Sequence, residues 1–105
     1  DGGVIVGTFS FIIGHEPTYR VLLNGHWHAD RPYGTIHRLA SKGTAHGVAR
    51  ACFSFCLGIM DYVRIDTHEN NHTMQSAITG YGFRKCGNIN ASNGTLRTAY
   101  DFIRP

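Results

Sequence analysis

Charged residues are scarce in this sequence, and other features that mark whole classes of protein are missing. Only 16 % of the 105 residues are charged and 42 % are apolar, which excludes the composition of a disordered chain. No apolar run reaches the roughly 18 residues of a membrane span, and the first residues do not read as a secretory signal. A chain of this length buries one core, so we expect a single soluble domain without a membrane partner.

A run of like charge is also missing. The ten Lys and Arg residues contribute to a net charge of +3, but they are scattered along the chain. A nucleic-acid-binding domain would need them on one face beside exposed aromatic rings, whereas most aromatic residues here stand at core spacing. Nucleic acid is therefore permitted as a partner but is not indicated.

Cysteine is rare and odd in number, with three residues in all. Cys52 and Cys56 stand four residues apart in a helical pattern. They are expected as small buried apolar side chains rather than as half of a disulfide framework. This usage fits a reducing compartment, so we expect a cytoplasmic protein.

A strand followed by a small-residue turn and a helix is the strongest local pattern. The strand covers 33–41 and the helix about 47–62. The start of such a helix carries about half a positive charge and free N–H groups, and Gly43, Gly47 and Ala49 leave it open to a phosphate. The same layout also occurs in units that bind nothing, so a purely structural role is the alternative.

Residue composition and spacing predict strands before and after this unit. Runs rich in β-branched and aromatic residues predict strands over 3–13 and 18–23, and the second ends at the tight-turn pair Asn24-Gly25. A closing antiparallel hairpin is expected from 83–90 and 96–104.

Apolar residues at helical spacing predict a long helix after the turn and a second, shorter helix. Apolar residues surround the first helix except for a narrow polar stripe between Arg50 and Asp61, so it should pack against a sheet over most of its surface. A strand over 62–67 precedes the second helix, which begins at Asn70 or Asn71. Two successive strand–helix units imply parallel strands, which makes the fold class α+β with a mixed sheet.

His26 and His28 stand two residues apart, which would place them on one face of a strand. A metal ion needs further ligands, and the sequence does not place any nearby. We therefore expect no metal site.

Several motifs occur together in an order that resembles the GNAT family of N-acetyltransferases. They are Ile-His-Arg-Leu-Ala-Ser at 36–41, the turn ending Gly47-Val48-Ala49, Arg64-Ile-Asp-Thr-His-Glu-Asn-Asn71, Met74-Gln75 and Gly82-Phe83-Arg-Lys-Cys86-Gly87. The similarity runs from about residue 3 to residue 104, and Asn, apolar helix and Gly-Phe in succession are particularly typical. The resemblance implies a mixed, mostly antiparallel sheet with a splayed parallel pair and two flanking helices.

The resemblance also implies a reaction and a co-substrate. A primary amine would attack the thioester carbonyl of acetyl-CoA directly, with both substrates bound together. Strand backbone would hold the pantetheine arm, the Leu39 amide would polarise the carbonyl, and amides of the turn would hold the pyrophosphate. The implied cofactor-binding residues are Leu39, Ala40, Ser41, Thr44, Ala45, His46, Gly47, Val48, Ala49, Arg50 and Asn71.

Three departures from the family's pattern affect this expectation. Thr44 stands where Gln or Arg is common, which removes a cation but leaves the backbone amides. Ile78 stands where a Tyr often protonates the leaving thiolate, so water or another group would do that work. A further strand and two helices usually come first, so we expect a C-terminal portion of a longer acetyltransferase. An uncovered sheet edge would then favour pairing, and a homodimer is one candidate.

The general base has three candidates. Asp66, at the end of a strand, and His37 and His68, as imidazole side chains, could each accept the proton of the amine. The structural alternative for Asp66 is a turn or helix-capping carboxylate, and for each histidine it is a side chain without a catalytic partner.

An acetyl-CoA-dependent N-acetyltransferase acting on a primary amine is the function that we expect. A non-catalytic CoA-binding or structural module is the alternative, and Ile78 and the missing first part favour it. A small basic nucleic-acid-binding domain is a more remote alternative, which the steep salt dependence of phosphate binding would reveal.

Overall fold

The computed structural model describes residues 7–41, 45–91 and 93–105, without the side chains of Thr8, Arg38, Ala40, Ser41, Ala45 and His46. In chain order its elements are β1 (Gly7–Ile13), a 3₁₀ turn (Pro17–Tyr19), β2 (Gly34–Ser41), α1 (Ala45–Ile59), β3 (Tyr62–His68), α2 (His72–Tyr81), β4 (Arg84–Asn90) and β5 (Leu96–Ile103). The start of the predicted first strand, 3–6, and Gly43 and Thr44 of the predicted turn lie outside the described residues.

Within these residues, five strands form one sheet in the order β1-β2-β3-β5-β4. β2 and β3 run parallel, and the other neighbouring pairs are antiparallel. α1 supplies the crossover that parallel neighbours require, and α2 leads from β3 to the β4–β5 hairpin. This arrangement confirms the predicted α+β class with a mixed, mostly antiparallel sheet and two helices.

The parallel pairing of β2 with β3 is short. Its Cα partners run only from Gly34↔Val63 to Ile36↔Ile65. Beyond Ile36, β2 pairs with β1 on one side and has no strand partner on the other among the described residues. β3 stays paired with β5 as far as His68. The two strands therefore separate into a V, and the open edge of β2 offers free backbone groups.

The helix-covered face of the sheet carries the main apolar core. Its fully buried members include Phe53 and Cys56 of α1, Val63 of β3 and Ile78 of α2. Cys52 packs into the same core, and the three cysteines of the chain are free and buried. The expected role of Cys52 and Cys56 as small apolar side chains is confirmed.

The predicted packing of α1 over most of its surface is wrong. Phe55 is 51 % exposed and Ile59 is 49 % exposed, although both stand at helical spacing with buried cysteines. A helix presents one side to a sheet, and no second described layer covers the outer side of α1. These two side chains therefore stay in contact with solvent.

α2 forms as its sequence predicts. The Oδ1 of Asn71 accepts a hydrogen bond from the Met74 N–H at 3.1 Å and so caps the helix. Met74, Ala77 and Ile78 are buried, and Gly82 ends the helix with a φ of 127° that glycine adopts without steric cost. Among the described residues, neither helix has the length and apolar character needed to cross a membrane.

Residues 14–33, here called the covering loop, lie over the opposite face of the sheet. The predicted strand over 18–23 is wrong, because the chain forms a 3₁₀ turn at Pro17–Tyr19 and only Leu23 makes an isolated bridge to β4. Proline in the first turn and the capping side chain of Glu16 favour this turn over a strand.

A buried cation lies between this loop and the sheet. Arg64 of β3 is 6 % exposed and stands directly opposite Asp101 of β5. Its guanidinium carbon lies 4.1 Å from the ring centroid of Trp27 and 4.0 Å from that of Tyr33, both in the covering loop. Cation–π contacts with both rings therefore hold the loop on this face, which we call the loop face.

Gly25 lies where the covering loop approaches β4, and its lack of a side chain can be tested. A Cβ added at Gly25 would lie 1.7 Å from the carbonyl oxygen of Cys86, so the backbone would have to move. We expect Gly25→Ala to lower the free energy of unfolding in urea by about 1 to 3 kcal/mol.

Gly58 provides the matched control for this substitution. An added Cβ there meets nothing within 4 Å, so Gly58→Ala should stabilise α1 by about 0.5 to 1 kcal/mol. Equal effects of the two substitutions would contradict the close approach at Gly25.

Candidate active site

A cavity of about 690 Å³ opens where β2 and β3 separate. Ile12, Ile36 and Ile89 supply apolar parts of its wall. Four ionisable side chains also line it, one each from the covering loop, β2, β3 and β5: Glu16, His37, Asp66 and Arg97. Apolar walls with a few converging polar groups are the usual character of a small-molecule site.

Glu16 and His37 form one ionisable pair in this cavity. The Nε2 of His37 lies 2.7 Å from Oε1 of Glu16, and the two side chains are 28 % and 16 % exposed. Oε2 of Glu16 accepts hydrogen bonds from the N–H and the hydroxyl of Thr18, at 3.0 and 2.8 Å. The carboxylate is thus fixed, while Nδ1 of His37 has no partner among the described residues.

The surroundings of Glu16 keep it ionised. Burial by itself raises the pKa of Glu16, but the two hydrogen bonds from Thr18 and the contact with His37 outweigh burial and lower the pKa below its ordinary value. An ionised carboxylate beside an imidazole stabilises the imidazolium that forms when the ring accepts a proton. The pair can therefore act as a base with its orienting group.

Asp66 is the centre of a second group. Its Oδ1 accepts a hydrogen bond from the Tyr19 hydroxyl at 2.6 Å, and its Oδ2 pairs with Nε of Arg97. Burial raises the pKa of Tyr19 well above its ordinary value, and the charge of Asp66 adds to this effect, so the phenol stays protonated. Both carboxylate oxygens are engaged, and Asp66 thereby positions Tyr19 and Arg97.

The rings that enclose Arg64 also place the loop residues of the site. Trp27 donates a hydrogen bond from Nε1 to the carbonyl oxygen of Tyr19 at 3.2 Å. Tyr33 accepts one at its hydroxyl from the N–H of Glu16 at 2.9 Å. The position of both Glu16 and Tyr19 therefore depends on the packing around Arg64.

The structure brings two of the three predicted base candidates together. His37 and Asp66 line the cavity, whereas His68 does not. The Nδ1 of His68 accepts a hydrogen bond from the Asn70 N–H at 3.1 Å, which is a local turn contact. The catalytic roles of all three residues stay predictions.

The predicted cofactor-binding residues follow the open edge of β2 and the start of α1. Leu39, Ala40 and Ser41 belong to the part of β2 beyond its pairing with β3. Thr44 lies outside the described residues. The first turns of α1 contain the next six: Ala45, His46, Gly47, Val48, Ala49 and Arg50.

The structure describes the surroundings of three of these predicted residues: Gly47, Arg50 and Asn71. An added Cβ at Gly47 would meet nothing within 4 Å, so the start of α1 is open there. The guanidinium of Arg50 lies 5.6 Å from the ring centroid of Tyr81, so this cation of α1 is directed towards the end of α2. Asn71 caps α2, as described above, and a cofactor contact for it stays a prediction.

Three residues of the site are missing from the sequence-based prediction: Glu16, Tyr19 and Arg97. Glu16 carries a usable signal, since an acceptor side chain before Pro-Thr is typical of a turn or helix cap. Tyr19 and Arg97 carry no local signal. Arg97 reaches Asp66 because β5 pairs with β3 in a register that sets His68 opposite Arg97.

Comparison with known proteins identifies the fold. An acetyltransferase of the GNAT family from Streptococcus agalactiae 2603 matches with a TM-score of 0.85 and 30 % identity, over 100 % of this chain and 62 % of that chain. The NatC complex bound to Gag peptide and CoA matches with a TM-score of 0.63 and 15 % identity, over 95 % of this chain and 62 % of that chain. No protein-family model and no curated protein sequence matches this chain.

The chain therefore has the GNAT acetyltransferase fold, which confirms the resemblance seen in its motifs. It spans less than two thirds of the length of either similar structure. Because the match covers the whole of this chain in the first of them, the V of β2 and β3 belongs to the shared part of the fold.

Glu16 should make the stability of the fold depend on pH. Its pKa is lowered in the folded state, so its contribution is complete above the ordinary value of 4.5 and is lost as pH falls through the lower folded value. We expect Glu16→Gln to lower the free energy of unfolding at neutral pH by about 1 to 3 kcal/mol, because a charge-assisted hydrogen bond is lost. Urea unfolding at neutral pH and in acid should show this difference shrinking in acid.

Glu69→Gln is the control for this pH series. Glu69 is exposed and lies outside the cavity, so its substitution should change stability much less at either pH. A loss in Glu16→Gln that is equally large in acid would contradict the ionic role of Glu16.

Proposed function

We propose that this protein is an N-acetyltransferase that transfers the acetyl group of acetyl-CoA to a primary amine by direct attack, with both substrates bound. The observation that carries the proposal is the Glu16–His37 pair in a cavity at the splayed strands of a GNAT fold. One similar structure is an acetyltransferase and another holds CoA and a peptide, which supports acyl transfer as the class of reaction.

The open edge of β2 and the start of α1 are where we place acetyl-CoA, which supplies the acetyl thioester. Residues 39–41 lack a strand partner towards β3 in the described part of the chain, so their backbone groups suit an extended amide chain such as pantetheine. The first N–H groups of α1 have no helical partner and carry partial positive charge, which suits a pyrophosphate. Gly47 leaves room for its approach.

Leu39 is the residue that we assign to polarisation of the thioester carbonyl. Among the described residues it has no Cα partner in β1 or in β3, because the register of β1 shifts between Thr8 and Ser10. Leu39 therefore lies at the irregular point of the β1–β2 ladder, and we place its backbone N–H at the thioester carbonyl. A fixed backbone donor of this kind stabilises the negative charge that develops on a carbonyl oxygen.

His37 is the base that we favour, with Glu16 as its positioning residue. An amine that enters the cavity as an ammonium ion can lose a proton to the free ring nitrogen of His37, and Glu16 stabilises the imidazolium. Asp66 is less suited, since both its oxygens already accept hydrogen bonds. His68 is less suited because it lies outside the cavity wall.

The proton balance does not require an acid at position 78. The neutral amine still carries one proton that it must lose when the amide forms, and the departing thiolate needs one proton. Transfer between them, directly or through water, completes the reaction. This route for the proton is consistent with Ile78, which cannot donate a proton and is fully buried in the main apolar core.

A CoA-binding module without transfer activity is the second candidate function. Ile78 is the observation that favours it, because no phenol is available at that position. Such a module would bind acetyl-CoA but would not accelerate the release of CoA in the presence of any amine.

Substitution of His37 tests the assigned base. His37→Ala should lower kcat/KM by about 10² to 10⁴-fold, which is the usual contribution of a general base. The measurement is the release of CoA, followed with a thiol reagent, against a panel of primary amines. The affinity for acetyl-CoA should be unchanged, because His37 is assigned to the amine side of the cavity.

His72→Ala is the matched control, since His72 is an exposed histidine at the start of α2. It should keep the activity of the unsubstituted protein. Full activity in His37→Ala would exclude His37 as the base. If the unsubstituted protein bound acetyl-CoA but transferred the acetyl group to none of the amines, the second candidate function would be favoured.

Substitution of Gly47 tests the cofactor site separately. Gly47→Asp places a carboxylate at the start of α1, where it blocks the open approach and repels a pyrophosphate. We expect calorimetric affinity for acetyl-CoA to fall at least about tenfold, which is 1.4 kcal/mol. Gly58→Asp, the same substitution near the other end of α1, should leave that affinity unchanged, and equal losses would contradict the assignment.

A further inference from the structure

A second cluster of ionisable side chains lies on the loop face, apart from the cavity. His28 of the covering loop, Cys86 of β4 and Asp101 of β5 offer a nitrogen, a sulfur and an oxygen atom that all lie within 4.8 Å of one another. None of these residues lines the cavity. The proposed acyl transfer gives the cluster no role.

The cluster is buried and its carboxylate is held in place. Nδ1 of His28 lies 2.6 Å from Oδ1 of Asp101 and 3.4 Å from Sγ of Cys86. The His28 side chain is 17 % exposed and that of Asp101 is 1 % exposed. Oδ2 of Asp101 accepts hydrogen bonds from the His28 N–H and the Tyr62 hydroxyl, each at 2.8 Å, so the carboxylate is oriented independently of Nδ1.

The three donor atoms suit a tetrahedral zinc ion. Imidazole nitrogen, thiolate sulfur and carboxylate oxygen are its usual ligands, and such ligand atoms lie about 3.3 to 3.6 Å apart on one ion. The 3.4 Å between Cys86 and His28 already matches this spacing. The 2.6 Å between His28 and Asp101 has to widen by about 0.7 Å, as it does when an ion replaces a shared proton.

We propose that His28, Cys86 and Asp101 bind a zinc ion and that His26 supplies the fourth ligand. The His26 ring is exposed, and its centroid lies 5.8 Å from that of His28. The N–H of His26 donates to the carbonyl oxygen of Cys86 at 3.1 Å, which fixes this backbone beside the sulfur. In the folded chain, Cys86 and Asp101 thus supply the further ligands that the sequence around His26 and His28 lacks.

The charges around the site also favour a divalent ion. Burial and the charge of Asp101 raise the pKa of the Cys86 thiol, so a bound metal ion has to displace its proton; Asp101 and the resulting thiolate then bring two negative charges to the ion. Arg64 does not compete for Asp101, because its guanidinium donates to the Ala29 carbonyl and the Tyr62 hydroxyl at 2.9 and 3.2 Å. The Tyr62 hydroxyl donates to Oδ2 of Asp101 and so orients the carboxylate. A bound ion would tie the covering loop to β4 and β5.

Titration of the chelator-treated protein with cobalt and zinc tests this site. We expect one equivalent of Co²⁺ to give the strong visible bands of four-coordinate cobalt and a near-ultraviolet thiolate-to-cobalt band, both removed by Zn²⁺. Cys86→Ser should lose the thiolate band. Cys86→Ser, Asp101→Asn and His28→Gln should each weaken calorimetric zinc affinity at least about tenfold, and His26→Gln should weaken it about tenfold.

His72→Gln and His37→Gln are the controls, and both should keep the zinc affinity of the unsubstituted protein. A six-coordinate cobalt spectrum without a thiolate band would overturn the proposal, and this test does not depend on the folding of any variant. Zinc affinity that survives Cys86→Ser but is lost in His37→Gln would overturn it as well, since the ion would then lie in the cavity. Unchanged affinity in His26→Gln would overturn the fourth ligand.

Discussion

A buried guanidinium holds the loop face of this fold together. Arg64 is almost removed from water, so its charge needs favourable contacts in every direction. The rings of Trp27 and Tyr33 supply two of them, and the Ala29 carbonyl and Tyr62 hydroxyl supply hydrogen bonds. Each cation–π contact contributes about 0.5 to 2 kcal/mol. Because three of these partners belong to the covering loop, favourable contacts for one charge of the sheet also fix a loop that contains no strand or α-helix.

The cavity depends on this loop and on the limited length of one strand pairing. Glu16 and Tyr19 come from the loop, whereas His37 and Asp66 come from strands that are neighbours only as far as Ile36 and Ile65. If the parallel pairing continued, the backbone groups of β2 would form hydrogen bonds with β3, and the space between the two strands would close. The end of the ladder therefore creates both the free edge proposed for the cofactor and the room beside His37.

Local sequence patterns predict much of this fold, and the failures have physical causes. Asn71 and Gly82 correctly mark the two ends of α2, because helix capping and the positive φ of a terminal glycine depend on only a few neighbouring residues. The apolar spacing of α1 places the helix but not the exposure of Phe55, because a pattern does not say how many layers surround a helix. The strand predicted over 18–23 fails because Glu16 and Pro17 favour a turn, which composition alone does not weigh.

The candidate site is harder to predict than the fold. His37 and Asp66 can be named from motifs, but their partners are decided by strand register and by the path of a long loop. The same holds for His28, which meets Cys86 and Asp101 only when β4 and β5 are in place.

The hydrogen bonds and ion pairs of the cavity also join residues that are far apart along the chain. His37 is 21 residues from Glu16, Arg97 is 31 from Asp66, and Asp66 is 47 from Tyr19. Contacts of this separation form only after the entropy of closing long loops has been overcome, which makes them slow to appear during folding. A chain with complete helices but an undocked β5 would lack the Arg97 side of the cavity and the partner that Arg97 gives to Asp66. Recovery of the site during refolding therefore reports the last long-range contacts rather than the formation of secondary structure.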